Sequence, residues 1–241
     1  MKEICRLHGQ AAKLAGSGIR VVSVDEKTGI QALERAGATL PMKADKGERR
    51  EYNYIRHGTQ VLTGNLDLAT GKLISPTVGG TRTEQDFAVH IKNTVGTDPK
   101  APWIFLVDQL NTHKSESLVA YVAKAIGDTR DLGVKGRRGI LKDMPSRMAY
   151  LSDPAHRIRF VYTPKHCSWL NPIEVWFSAL SSRVLRRGSF VSCTQLREKI
   201  MAYIQFYNDV LAKPFRWSVV KTGEIEEMLE KIKGVRGLLV S

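Results

Sequence analysis

Apolar positions along the chain follow two rhythms, alternation or short unbroken runs in some stretches and a three-to-four residue recurrence in others. Residues 19–24 are rich in β-branched side chains and stop at Asp25, which predicts a strand. Residues 59–66 and 72–78 read as two more strands around Asp67-Leu68-Ala69-Thr70-Gly71, a hairpin with glycine at the turn exit. Ile104-Phe105-Leu106-Val107 is apolar throughout and ends at Asp108, the pattern of a strand covered on both faces. Ile158, Phe160 and Tyr162 alternate with Arg157, Arg159 and Val161, giving a strand with one wetter face.

The helical rhythm starts at Thr83, an N-cap with Asp86 three residues on, followed by Phe87, Ile91 and Val95 on one face. Residues 117–126 are helical by the same pattern. Asn171-Pro172 opens another helix, with Asn as cap and Pro in the first turn. Residues 194–211 form a further amphipathic helix and the acidic stretch 224–230 a last one. Residues 1–18 read as a short helix or linker ending in Gly16-Ser17-Gly18, and the charged stretch 41–57 as an exposed loop. Residues 127–153, with four glycines and six Lys or Arg, keep no period and read as an inserted loop. The order predicts an α/β fold: a mixed sheet of three antiparallel strands followed by two parallel ones, flanked by helices.

Composition narrows the function. Of 241 residues, 42% are hydrophobic, which excludes wholesale disorder, and no apolar run approaches the ~20 residues of a membrane span. Three scattered cysteines without a CxxC pair disfavour a disulfide framework and a cysteine zinc site. With a polar start and no apolar signal core, the expected location is cytoplasmic. The net charge of +13 points to a polyanionic partner, nucleic acid first.

Asp25 and Asp108 both stand at the C-terminal ends of predicted strands, the edge where open α/β sheets hold ligands. Two clustered carboxylates repel, and a divalent cation resolves the repulsion; oxygen ligands favour Mg²⁺ or Mn²⁺. Glu174, one turn into the helix after the last strand, would complete a two-ion site for in-line phosphoryl displacement. Each acid has a plainer reading. The aspartates also suit turns after strands, and Asn171-x-x-Glu174 is also a capping-box spacing. Glu26 is expected in solvent or paired with Lys27. Gly133 to Gly139 lacks the spacing of a phosphate-binding loop, and His166-Cys167 reads as a structural turn. Ile173, Trp176 and Phe177 share a face that would pin their helix to the sheet, with Trp169, Trp176 and Phe177 also suited to base stacking.

Val24-Asp25-Glu26-Lys27, then Val107-Asp108-Gln109-Leu110-Asn111-Thr112-His113-Lys114, then Ser168-Trp169-Leu170-Asn171-Pro172-Ile173-Glu174-Val175-Trp176-Phe177 resemble the three motifs of DDE transposases. The mariner-like bacterial insertion-sequence group is the most similar, and Arg56-His57-Gly58-Thr59 also resembles that group. The likeness covers roughly residues 19–210. It implies a ribonuclease-H-like catalytic domain over that span, with 1–18 as an N-terminal helix or linker and 211–241 as a helical extension. It implies DNA cleavage and strand transfer with Mg²⁺ (Mn²⁺ substituting), two ions held by Asp25, Asp108 and Glu174, and His113 and Asn171 beside them. It further implies double-stranded DNA as partner, a synaptic homodimer and a nucleoid-associated location in a bacterium. Arg56, Arg183, Arg186 and Arg187 are DNA-contact candidates. So are Arg137 and Arg138 in the 127–153 loop, where Arg130, Lys135, Lys142 and Arg147 would join them in a clamp. For the basic stretches a solvated surface is the plain alternative.

Two departures bear on the resemblance. Asp108 and Glu174 are separated by 65 residues, about twice the family's usual spacing; setting aside the 27 of the inserted loop leaves 38. The family also carries helix-turn-helix modules ahead of this domain, and residues 1–18 are too short for one. The expectation is therefore either a separately encoded N-terminal DNA-binding segment or a catalytically idle remnant that binds DNA or transposase. A nuclease of the same fold without strand transfer is the third reading.

Overall fold

The computed structural model of the chain describes residues 1–37, 53–164 and 167–215. The helix expected at 224–230, most of the loop expected at 41–57, and His166 lie outside the described residues. Among the described residues five strands form one sheet: β1 (Arg20–Arg35), β2 (Tyr54–Asp67), β3 (Thr77–Gly79), β4 (Trp103–Val107) and β5 (Ile158–Tyr162), in the order β3-β2-β1-β4-β5. β1, β2 and β3 are antiparallel neighbours, whereas β4 runs parallel to β1 and β5 parallel to β4. This is the expected mixed sheet. Helices α1 (Lys2–Gly16), α2 (Glu84–Gly96), α3 (Glu116–Ile126), α4 (Met144–Leu151), α5 (Ile173–Leu180) and α6 (Cys193–Phe206) flank it. Both α5 and α6 run on into a five-residue π turn, Ser181–Leu185 and Tyr207–Leu211 respectively.

Strand alternation sorts the core. Val22, Val24, Trp103, Phe105, Val107, Ile158 and Phe160 face α2, α3 and α4, while Val21, Ile104, Leu106 and Val161 face α1. A third apolar cluster joins the β1–β2 ribbon (Ile30, Ala32, Leu62, Leu66) to α5 and α6. Thr83 and Asp86 form the capping box that starts α2, as read from the sequence.

Four expectations differ. β1 does not stop at Asp25; it continues to Arg35, because β2 supplies backbone partners beyond the last apolar residue of the run. A bulge between Lys27 and Ile30, with Gly29 at φ +68°, interrupts the alternation there. β2 already begins at Tyr54, so residues 54–57 are strand and not loop. β3 keeps three residues only, since Pro76 cannot donate to the ladder; before it only Leu73 bridges back to Leu66. Finally, the stretch 127–153 contains α4, capped by the Asp143 side chain on the Ser146 amide at 2.8 Å, and it places Leu141, Tyr150 and Leu151 in the main core. Its first half is a tight turn, with the Val134 amide donating to the Arg138 carbonyl.

Candidate active site

The parallel register pairs Ser23 with Leu106; continued two residues, it sets Asp25 on β1 opposite Asp108 just past β4. α5 reaches the same edge because Asn171 ties its start to β1. The Asn171 Nδ2 donates to the Val24 carbonyl at 3.0 Å and to Asp25 Oδ2 at 3.3 Å, and its Oδ1 accepts from Ser23 Oγ. Ser23 Oγ in turn accepts from the Ile173 amide at 3.2 Å. Asn171 therefore does not cap the helix with its side chain, as the sequence suggested; Pro172 occupies that position. With Ile173, Trp176 and Phe177 buried against the ribbon, Glu174 falls in the first turn with an exposed side chain. Among the described residues no capping-box bond holds it.

The electrostatics follow from this crowding. Burial, then repulsion from Asp108 and Glu174, push the Asp25 carboxyl up to about 7, against the Glu26 amide, which donates to its Oδ1 at 2.7 Å. Burial also works to raise Asp108, but the His113 ring, the Leu110 amide and Lys114 outweigh it and hold that carboxyl below its usual range. His113 Nδ1 lies 2.7 Å from Asp108 Oδ1 and its Nε2 3.3 Å from Glu26 Oε1. Burial disfavours the charged ring, yet these two carboxylates push His113 up to about 9.

Three carboxylates, of which Asp25 feels the charge of the other two and the other two have oxygens unbonded among the described residues, form an all-oxygen donor set suited in chemistry to Mg²⁺ or Mn²⁺. As the side chains stand, no three His, Cys, Asp or Glu among the described residues are gathered closely enough to hold an ion. The arrangement brings Asp25, Asp108, Glu174, His113 and Asn171 to one place. Glu26, expected in solvent or paired with Lys27, instead faces the His113 ring with its side chain buried. Positions 22, 24 and 26 alternate onto the covered face of β1, which was the signal that could have found it.

The basic candidates scatter. Arg56 lies exposed on β2 over the Tyr54 ring. Arg137 and Arg138 sit in the 134–138 turn, with Arg138 paired to Asp131. Arg183, Arg186 and Arg187 are exposed beyond α5, and Arg186 lines an open groove of about 560 Å³ with Lys27, Gln31, Ser178 and Ser182. Arg147 is corrected from a surface clamp to a core residue, its guanidinium donating to the carbonyls of Lys114 at 2.7 Å and Leu141 at 2.9 Å. Among the described residues no helix is long and apolar enough to cross a membrane.

Comparison with known proteins agrees with the fold. The Mos1 transposase paired-end complex with left transposon end shares 12% identity at a TM-score of 0.51, over 85% of this chain and 53% of that one. The Mos1 mariner paired end complex with Mn shows 12% identity and a TM-score of 0.49, over 85% and 56%. The chain thus spans about half of the Mos1 chain. No curated protein sequence matches it. The sequence profile described as DDE superfamily endonuclease matches residues 20–197. With that match over most of its length, and with a ribonuclease-H-like sheet carrying the acids at one edge, the chain belongs to the DDE superfamily endonucleases.

Proposed function

We propose that this chain is the catalytic part of a DNA transposase, cutting phosphodiester bonds at element ends and joining the freed 3′-hydroxyls to target DNA. The observation that carries the reading is the placement of Asp25 opposite Asp108, with Glu174 near enough for its charge to raise Asp25. Asp25, Asp108 and Glu174 would hold two Mg²⁺ or Mn²⁺ ions. Bound there, such ions polarise a phosphate and favour ionisation of the attacking hydroxyl. The chain's own part is positional. The Glu26 amide fixes Asp25 Oδ1 and Asn171 steadies Oδ2, while His113 and the Leu110 amide converge on Asp108 Oδ1 and leave Oδ2 without a hydrogen bond among the described residues. A proton on Asp25 competes with a cation for that carboxyl, so uptake should weaken as pH falls.

Basic side chains at Arg56, Arg137, Arg183, Arg186 and Arg187 would neutralise DNA phosphates. By analogy with the paired-end complexes of Mos1, two copies would bring two ends together. Membership of the bacterial insertion-sequence group, and the intracellular location it entails, belong to the same proposal. A catalytically idle DNA-binding chain is the second reading, favoured by the acids not being gathered into one coordination sphere.

Mn²⁺-dependent nicking of supercoiled plasmid tests the two. Wild type is expected to nick, and Asp25→Asn, Asp108→Asn and Glu174→Gln to lose the activity while staying folded. Variants that cut like wild type would overturn the site, and an inert wild type favours the idle reading. Joined products from precleaved ends separate a transposase from a nuclease.

A further inference from the structure

Glu26 is a carboxylate where an apolar residue would pack more cheaply. It follows Val22 and Val24 on the covered face of β1, its side chain is 4% exposed, and its contact is the fully buried His113 ring. Burying a carboxylate costs several kcal/mol by ordinary magnitudes unless geometry and hydrogen bonding return it, and an apolar substitute is often no less stable. The cost therefore points to a task beyond stability. We propose that Glu26 is a positioning residue: it holds the far side of the His113 ring so that the near side fixes the Asp108 carboxylate.

The geometry supports each link. His113 lies between two carboxylates, Nδ1 at 2.7 Å from Asp108 Oδ1 and Nε2 at 3.3 Å from Glu26 Oε1. Its backbone is anchored by the Tyr162 hydroxyl, which donates to the His113 carbonyl at 2.8 Å, and Phe87 covers the ring at a centroid distance of 4.1 Å. A ring held at both nitrogens cannot turn about its axis without breaking both contacts. Asp108 Oδ1 is thereby pinned between the ring and the Leu110 amide. The bridge also joins two strands where their ladder has run out, since the last parallel pair is Ser23 with Leu106. Glu26 and His113 thus set the spacing of β1 and β4 at the point where Asp25 and Asp108 face each other.

This proposal rests on Asp108 being a ligand for a divalent cation, so the test separates the two claims. Mn²⁺ uptake by the full chain is measured by calorimetry for wild type, Asp108→Asn, Glu26→Ala, Glu26→Gln, His113→Ala and the Glu26→Ala/His113→Ala double variant, with the His113 ring followed by ¹⁵N NMR. Groups that orient metal ligands typically change affinity about 10- to 100-fold on removal. Glu26→Ala is expected to weaken uptake by about that factor and to lose the protected Nε2–H signal. Glu26→Gln, which keeps an acceptor oxygen, recovers most of both, and this variant decides the matter if the alanine variant does not fold. Because Glu26 acts through His113, the double variant is no weaker than His113→Ala alone. Uptake abolished by Asp108→Asn but untouched by both Glu26 variants, or losses that multiply in the double variant, overturn this role alone. A wild type that takes up no Mn²⁺ overturns the metal reading and this one together.

Discussion

Replacing Asn171 with alanine removes the amide that ties the start of α5 to β1. The side chain is buried and makes three bonds, to the Val24 carbonyl, to Asp25 Oδ2 and to Ser23 Oγ. Two of these are neutral, at about 1 kcal/mol each, and the one to a carboxylate is worth about 2 kcal/mol, so the loss is about 4 kcal/mol. That is a large share of a stability of about 5–15 kcal/mol, and for a chain of this size it lowers the melting temperature by about 10 °C. Urea unfolding at constant m-value measures the free energy directly. Ser23→Ala serves as companion: it should cost less, and its effect should not add to that of Asn171→Ala, because Ser23 Oγ belongs to the same network. Nicking should fall along with stability, since Glu174 loses its footing. An Asn171→Ala chain that melts within about 1 °C of wild type would show that α5 is held by its apolar face alone.

Three further outcomes follow from the same structure. Asp25, raised from 3.8 to about 7, and His113, raised from 6.5 to about 9, both lose their contribution as pH rises through those ranges, while buried His90, lowered to about 3, works the other way below about 6.5; folding stability should therefore fall as pH rises from about 7 to 9, and His113→Asn should flatten that decline in urea titrations at fixed pH. Arg147→Met strips two buried carbonyls of a charged donor and should cost about 3 kcal/mol in urea unfolding while leaving DNA affinity unchanged; weaker DNA binding at unchanged stability would restore the surface reading. At Gly71, φ is +72° and an added Cβ would lie 1.8 Å from the Lys213 carbonyl, so Gly71→Ala should displace residues 212–215 and expose them to protease; an unchanged cleavage pattern would refute the contact.

The sequence disclosed the parallel strands β4 and β5 most fully. At 104–107 an unbroken apolar run, and at 158–162 alternation, are direct images of what covers each face. Ends were harder where the partner was polar or local chemistry ambiguous. Beyond Val24, β1 is held by β2 through backbone bonds that leave no trace in side-chain hydropathy, and the bulge at 27–30 breaks the rhythm that Ile30 and Ala32 would otherwise continue. In α4, Asp143 and Pro145 are start signals that resemble loop residues when glycines precede them. Asp25, Asp108 and Glu174 could be placed together because parallel register and chain order suffice. Asn171 was found beside the site but given a cap's task, as a cap and a cross-strand tie use the same amide. Glu26 was missed because its partner, His113, lies 87 residues away, and proximity of that kind belongs to the folded chain.

The π turn after α5 bears on how chain length can vary here. Such a turn holds one residue more than an α turn, the usual trace of a single insertion absorbed within a helix. A π turn takes about one residue more than an α turn to complete the same rotation, so removing Ser182 would regularise the helix and leave Arg183 in register with Glu174. The turn therefore acts as slack between the acidic start of this segment and its basic end. One codon lost there shortens the segment while the arginines keep their bearing relative to the acid.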